Sequence, residues 1–154
     1  MDNYDGFSLF ELLVVISIIA IMSCVAVPNF VSWRNSAIVR SSAFNIKADL
    51  ERARIQAMCR KFIVRVDFFQ DGYRAFHDFN NNGEMDDGEE VFEKKLEGAS
   101  IDSTETRFGS RSYARFSPRG MLTSDTTAGG RILVRLGGRE QAMAVSRAGR
   151  IRFI

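Results

Sequence analysis

One apolar segment constrains this chain more than anything else in it: from Phe7 to Val27 the only charged side chain is Glu11. About 21 residues at roughly 1.5 Å each make a helix of about 31 Å, the thickness of a bilayer's hydrocarbon, so the segment predicts a transmembrane helix over 7–28. Its serines can return their hydroxyls to carbonyls one turn back, and Pro28 falls where a kink or an exit into water is tolerated. A secretory signal would carry a basic start, a shorter apolar core and a small-residue cleavage site, whereas Asp2 and Asp5 precede this run. A carboxylate in hydrocarbon costs on the order of 3 kcal/mol on insertion scales, which makes Glu11 a functional candidate in need of a partner. The competing reading is a plain single-pass anchor with Glu11 at headgroup depth.

The stretch GFSLFELLVVISIIAIM resembles the N-terminal signature of type IV pilins and pseudopilins. The resemblance implies a leader of residues 1–6, cleavage between Gly6 and Phe7 by a prepilin peptidase, N-methylation of Phe7, and Glu11 as the assembly glutamate. Four residues apart, Phe7 and Glu11 share one helical face, so the freed amine of one subunit can meet the carboxylate of a neighbour staggered by a turn. Paired, the two charges neutralise each other, whereas either alone in a low-dielectric medium is far worse off. The resemblance also implies inner-membrane insertion with the bulk of the chain in the periplasm. Charge gives that orientation no support, because the leader is acidic and Arg34 and Arg40 follow the span.

Beyond Pro28 a helical period resumes: Val39, Ala43, Ile46, Leu50, Ala53 and Ala57 recur at spacings of three and four, with Arg40, Lys47 and Arg54 seven apart on another face that looks outward or toward a neighbouring subunit. An amphipathic helix is expected over 29–61. The period then switches to two, with β-branched and aromatic residues. Strands are expected at 62–69, 73–77, 90–96, 99–103, 112–116, 131–136, 141–146 and 150–153. The turn at Gln70-Asp71-Gly72 makes the first two a hairpin, Gly137-Gly138 and Ala148-Gly149 supply positions for positive φ, and no helical pattern follows Arg60. The expectation is an α+β fold, one long N-terminal helix packed on an antiparallel β head spanning 62–154. Cys24 and Cys59, about 50 Å apart along a continuous helix, cannot pair within the chain.

Within the pilin class the head resembles the GspH/FimT group of minor pseudopilins and minor pilins, through AMCRKFIVRV, DFNNNGEMDDGEEV, RFSPRG and VSRAGRIRF. That resemblance implies a ladle-shaped structural subunit near the tip of a type II secretion pseudopilus or a type IV pilus, with other pilins as partners in a helical filament.

Net charge is only +2, yet residues 67–105 hold twelve acidic side chains against Arg74, Lys94 and Lys95, while residues 106–154 hold ten arginines against Asp125 and Glu140. The two stretches either face each other within the head or across neighbouring subunits. In the acidic part, Asp78, Asn80, Asn82, Glu84, Asp86 and Glu89 occupy the first, third, fifth, seventh, ninth and twelfth places of a loop with Gly83 at the sixth. The pattern is that of a structural calcium loop, although the flanks read as strands, and a plain acidic turn has the same composition. At the basic end, Arg147, Arg150 and Arg152 resemble the GRxR tail of DNA-binding minor pilins used in natural transformation. They would grip phosphates without reading sequence, or serve strand-edge solubility and subunit ion pairs, and no aromatic stacking platform is evident beside Phe153. His77 is the only histidine and reads as a strand residue; no nucleophile, base and orienting group assemble, so no enzyme is expected. An anchored periplasmic binding module without a filament is the remaining alternative.

Overall fold

The computed structural model describes residues 7–126 and 129–154. Two compact units divide the chain, Met1–Arg34 and Asn35–Ile154, and one helix, α1 (Leu9–Arg60), contributes to both.

In the first unit α1 spends its polar groups on itself. The Ser8 hydroxyl accepts the Glu11 N–H at 3.2 Å, Ser17 and Ser23 donate to the carbonyls of Leu13 and Ile19 at 2.8 and 2.7 Å, and the Asn29 amide donates to Val25 at 3.0 Å. This is the back-bonding anticipated for the serines, and it leaves the outer surface almost entirely hydrocarbon. Pro28 lies inside the helix without ending it. The most apolar stretch has a mean hydropathy of 2.7 and none of it is buried within the chain, so its cover must come from lipid or from other molecules.

In the second unit the expected stripe is the buried one: Val39, Ala43, Ile46, Leu50, Ala53 and Ala57 are all 3% exposed or less. Ile46 and Leu50 contribute roughly 2 kcal/mol each through burial. The stripe also holds an unexpected acid. Asp49, 5% exposed, accepts a hydrogen bond from the Tyr73 hydroxyl at 2.6 Å and pairs with Lys94 at 2.8 Å. Arg54, expected to face outward or toward a neighbouring subunit, instead donates through Nε to the Gly120 carbonyl at 2.8 Å. Lys61 ends the helix in a left-handed conformation (φ 64°), donating its N–H to Ala57 at 3.1 Å.

The strands are β1 (Ile63–Phe68), β2 (Gly72–Asp78), β3 (Glu90–Lys95), β4 (Ser100–Ile101), β5 (Arg107–Phe108), β6 (Tyr113–Phe116), β7 (Gly130–Leu136), β8 (Arg139–Val145) and β9 (Ile151–Phe153). All pair antiparallel. They form two sheets rather than one, in the orders β3-β2-β1-β6 and β4-β7-β8-β9, with β5 also on β7. Two-residue β5 is too short to show a period, and a 3-10 turn at Ser124–Thr126 likewise carries no helical signature in the sequence. The alternating inward residues of both sheets, among them Val64, Val66, Phe116, Ile132, Val134 and Met143, join the helix stripe in one core.

Candidate functional site

Three places carry the residues singled out from the sequence: the start of α1, the β2–β3 loop and the β8–β9 turn. At the first, Gly6 lies outside the described residues. Phe7 stands just before the helix, which begins at Leu9 rather than Phe7, and is 83% exposed. Glu11 sits in the first turn, where a carboxylate favours the positive helix end. Its side chain is exposed and has no partner among the described residues.

The β2–β3 loop is organised by arginines and amides. Asp78, at the end of β2 with its side chain fully buried, pairs with Arg115 at 2.9 Å. The Arg115 guanidinium also donates to Asn81 Oδ1, and Arg65 Nη1 donates to the Gly83 carbonyl. Asn80 and Asn82 both donate side-chain amides to Asp86, at 2.7 and 3.0 Å. Glu89, 3% exposed, accepts the backbone N–H groups of Phe79 and Asp86 at 2.9 Å each. Of the six expected calcium ligands, then, Asn80, Asn82, Asp86 and Glu89 come together, Asp78 is drawn off to Arg115, and Glu84 is exposed without a side-chain hydrogen bond among the described residues. No group of three or more His, Cys, Asp or Glu side chains among the described residues is arranged to hold a metal. A calcium ion here would have to displace amide and guanidinium donors first.

At the basic end Arg147, Arg150 and Arg152 are all exposed, and none has a side-chain partner among the described residues. The turn bearing them is locked to the RFSPRG segment: Leu122 N–H donates to the Arg147 carbonyl at 3.0 Å. Gly149, with φ 77°, lies so close that a Cβ there would fall 2.1 Å from the Gly120 carbonyl oxygen. Arg119, exposed on the adjoining turn, joins the cluster, and Arg54 braces it from α1. Neither was apparent in the sequence, because 66 residues separate Arg54 from Gly120. An aromatic pair does stand beside the last strand, contrary to expectation. Phe44 meets Phe153 edge-on at 4.7 Å, and Arg40 and Lys47 lie over the two rings at 6.0 and 5.3 Å.

The acidic and basic stretches do meet within the head, through Arg131 with Glu105 at 3.5 Å, Arg135 with Asp102 at 2.5 Å, and Arg115 with Asp78 at 2.9 Å. His77 is a half-buried β2 residue stacked on Phe79 at 5.4 Å. Burial, aided by the Arg60 charge, pulls its pKa below the usual value, which leaves the ring neutral at pH 7.

With this geometry in view, comparison with known proteins is direct. Residues 42–149 match the family described as "Type II transport protein GspH", and residues 1–26 match the prokaryotic N-terminal methylation motif. The chain is 28% identical to the pilin-like protein PilA1 of Thermus thermophilus, over 96% of this chain and 97% of that one. Its fold is similar to the type IV minor pilin FimU of Pseudomonas aeruginosa, with TM-score 0.56, 14% identity, and coverage of 75% of this chain and 91% of that chain. It is similar again to the minor pseudopilin EpsH from the type 2 secretion system of Vibrio cholerae, with TM-score 0.55, 12% identity, and coverage of 75% and 95%. Matched across most of its head and carrying the methylation motif at its start, the chain belongs to the GspH family, as a minor pilin or pseudopilin with one long apolar helix packed on antiparallel sheets.

Proposed function

We propose that the chain is a structural subunit near the tip of a type II secretion pseudopilus or a type IV pilus. It inserts in the inner membrane with its head in the periplasm, is cut between Gly6 and Phe7 by a prepilin peptidase, is methylated on Phe7, and is then drawn into the filament. The observation that carries this reading is Glu11, a carboxylate without a partner among the described residues, one turn from Phe7 at the start of an apolar helical stretch that no described residue covers. The amine of a neighbouring subunit, staggered by about a turn, satisfies that carboxylate, and lateral packing of the helices covers the apolar sleeve. Expression in the native host tests both steps: mass spectrometry reads the N-terminus, and sheared filaments are probed for the subunit. Glu11→Ala is expected to leave cleavage intact and to abolish incorporation. A fully incorporated Glu11→Ala variant, or residues 1–6 still attached in the wild type, would refute the reading.

A second reading has its own support in the exposed, unpaired Arg147, Arg150 and Arg152. Under it the head also contacts DNA through phosphates, with an affinity that falls steeply with salt. A gel shift at moderate salt with and without Arg150→Ala and Arg152→Ala decides it; no retardation by the wild type removes it.

A further inference from the structure

The outer face of the first sheet breaks a pairing rule. Arg65 on β1 stands directly opposite Arg115 on β6, and like charges in register destabilise a sheet unless something offsets them. Both side chains are mostly buried, at 18% and 15% exposure. Arg65 is held by Asp67 at 2.6 Å, and its guanidinium carbon lies over the Tyr113 ring, 3.9 Å from the centroid. Arg115 is held by Asp78 at 2.9 Å and Asp125 at 3.3 Å, while its Nε is buried without a hydrogen-bond partner. Arg111 approaches the same ring at 5.4 Å and donates to the Tyr113 hydroxyl at 2.6 Å; it has no carboxylate partner among the described residues.

Arg65, Arg111, Tyr113, Arg115 and Asp125 line an open polar cleft of about 690 Å³ together with Asn81, Asn82, Thr123 and Ser124. Arg65, Arg111 and Arg115 line it against one carboxylate, Asp125. Asp67 and Asp78 hold Arg65 and Arg115 from outside the lining, which leaves Arg111 as the lining cation without an ion pair among the described residues. The cavity walls are rich in rigid N–H and O–H donors, because the carboxylates and the Tyr113 ring fix the guanidinium planes in advance. Tyr113 and Arg115 alternate along β6 and so share one face, and Arg111, just before the strand, is brought to the same place by its contacts with Tyr113.

We propose that this cavity binds one oxyanionic group, a carboxylate or a phosphate, carried on a small hydroxyl-rich molecule, with Arg111 as the cation that meets it and the hydroxyls of Tyr113, Thr123 and Ser124 around it. The site borders the expected calcium loop through Asn81, Asn82 and Gly83 and includes none of the arginines of the basic end, and it does not rest on the assembly role of α1.

Isothermal titration calorimetry on the full chain in neutral detergent, at pH 7 and low salt, tests it with inorganic phosphate and with glucuronate. One site per chain is expected, with binding in the millimolar range or tighter for at least one probe; preference for phosphate or for glucuronate identifies which kind of molecule supplies the group. Arg111→Gln touches only Tyr113 and is expected to weaken binding at least about tenfold without moving the melting temperature, whereas Arg107→Gln, outside the cavity, leaves binding unchanged. Asp125→Asn removes a competing carboxylate and is expected to tighten binding severalfold, an effect that a purely structural role for the cluster does not produce. Absence of heat from both probes, or equal affinity in wild type and Arg111→Gln, overturns the proposal.

Discussion

The buried contact between Asp49 and Tyr73 lends itself to a quantitative test of how α1 is fastened to the head. Tyr73 is 1% exposed and Asp49 5%, and their 2.6 Å hydrogen bond has an ionised acceptor, so it is worth roughly 1.5–3 kcal/mol net. Tyr73→Phe keeps the ring packed and leaves Asp49 with Lys94, at an expected cost of about 2 kcal/mol. Asp49→Ala strands the Tyr73 hydroxyl in the core and is expected to cost about 3 kcal/mol. Losing the Lys94 partner adds at most about 1 kcal/mol to this, because Lys94 is 46% exposed and returns to water. In the double variant no polar group is orphaned, so its cost should fall short of the sum of the single changes by about 2 kcal/mol. Urea unfolding of the full chain in detergent, followed by circular dichroism of the sheets, measures all four corners of the cycle, with an unchanged m-value as the check on two-state behaviour. A coupling within about 0.5 kcal/mol of zero would refute the claim that this pair fastens helix to sheet.

Four further outcomes are expected. Burial, and then the hydrogen bond and charge of Asp49, hold the Tyr73 phenol well above its ordinary pKa of 10.0; stability is therefore unaffected below about pH 10 and falls above it, as the unfolded chain ionises first, and Tyr73→Phe should flatten that decline in pH-dependent melting curves. At the acid end, Asp102 is held low chiefly by the Thr104 hydroxyl. For Asp125 burial works the other way but is outweighed by Thr123, the backbone and Arg115. Both contributions are present above about pH 4 and are lost as pH falls further. Gly149→Ala should cost about 2 kcal/mol or more, since it forces a left-handed alanine against the Gly120 carbonyl; an unchanged melting temperature would show that the two basic turns are not locked together. Because calcium must displace Arg115 from Asp78 and two amides from Asp86, its affinity for the β2–β3 loop should be no better than about 0.1–1 mM, and calorimetry showing micromolar binding would overturn that arrangement.

Much of this protein is determined by local pattern. The apolar run with Glu11, the stripe from Val39 to Ala57 and the alternating strands each follow from spacing along the chain, because the helical and strand periods assign a side chain to a face before any partner is chosen. The same local logic marks Gly137-Gly138 and Gly149 as turns, and all three have positive φ. What local pattern does not contain is which distant groups share a neighbourhood. The division into two sheets, the burial of Asp49 under Tyr73, and the turning inward of Arg54 toward Gly120 came from the packed fold. So did the capture of Asp78 by Arg115 and the face-off of Arg65 and Arg115. An arginine or an aspartate has no fixed side of the boundary between water and core; its place is set by the partner that folding brings within about 3 Å, since burial of a charge is tolerated only where an opposite charge or a hydrogen-bonding group meets it.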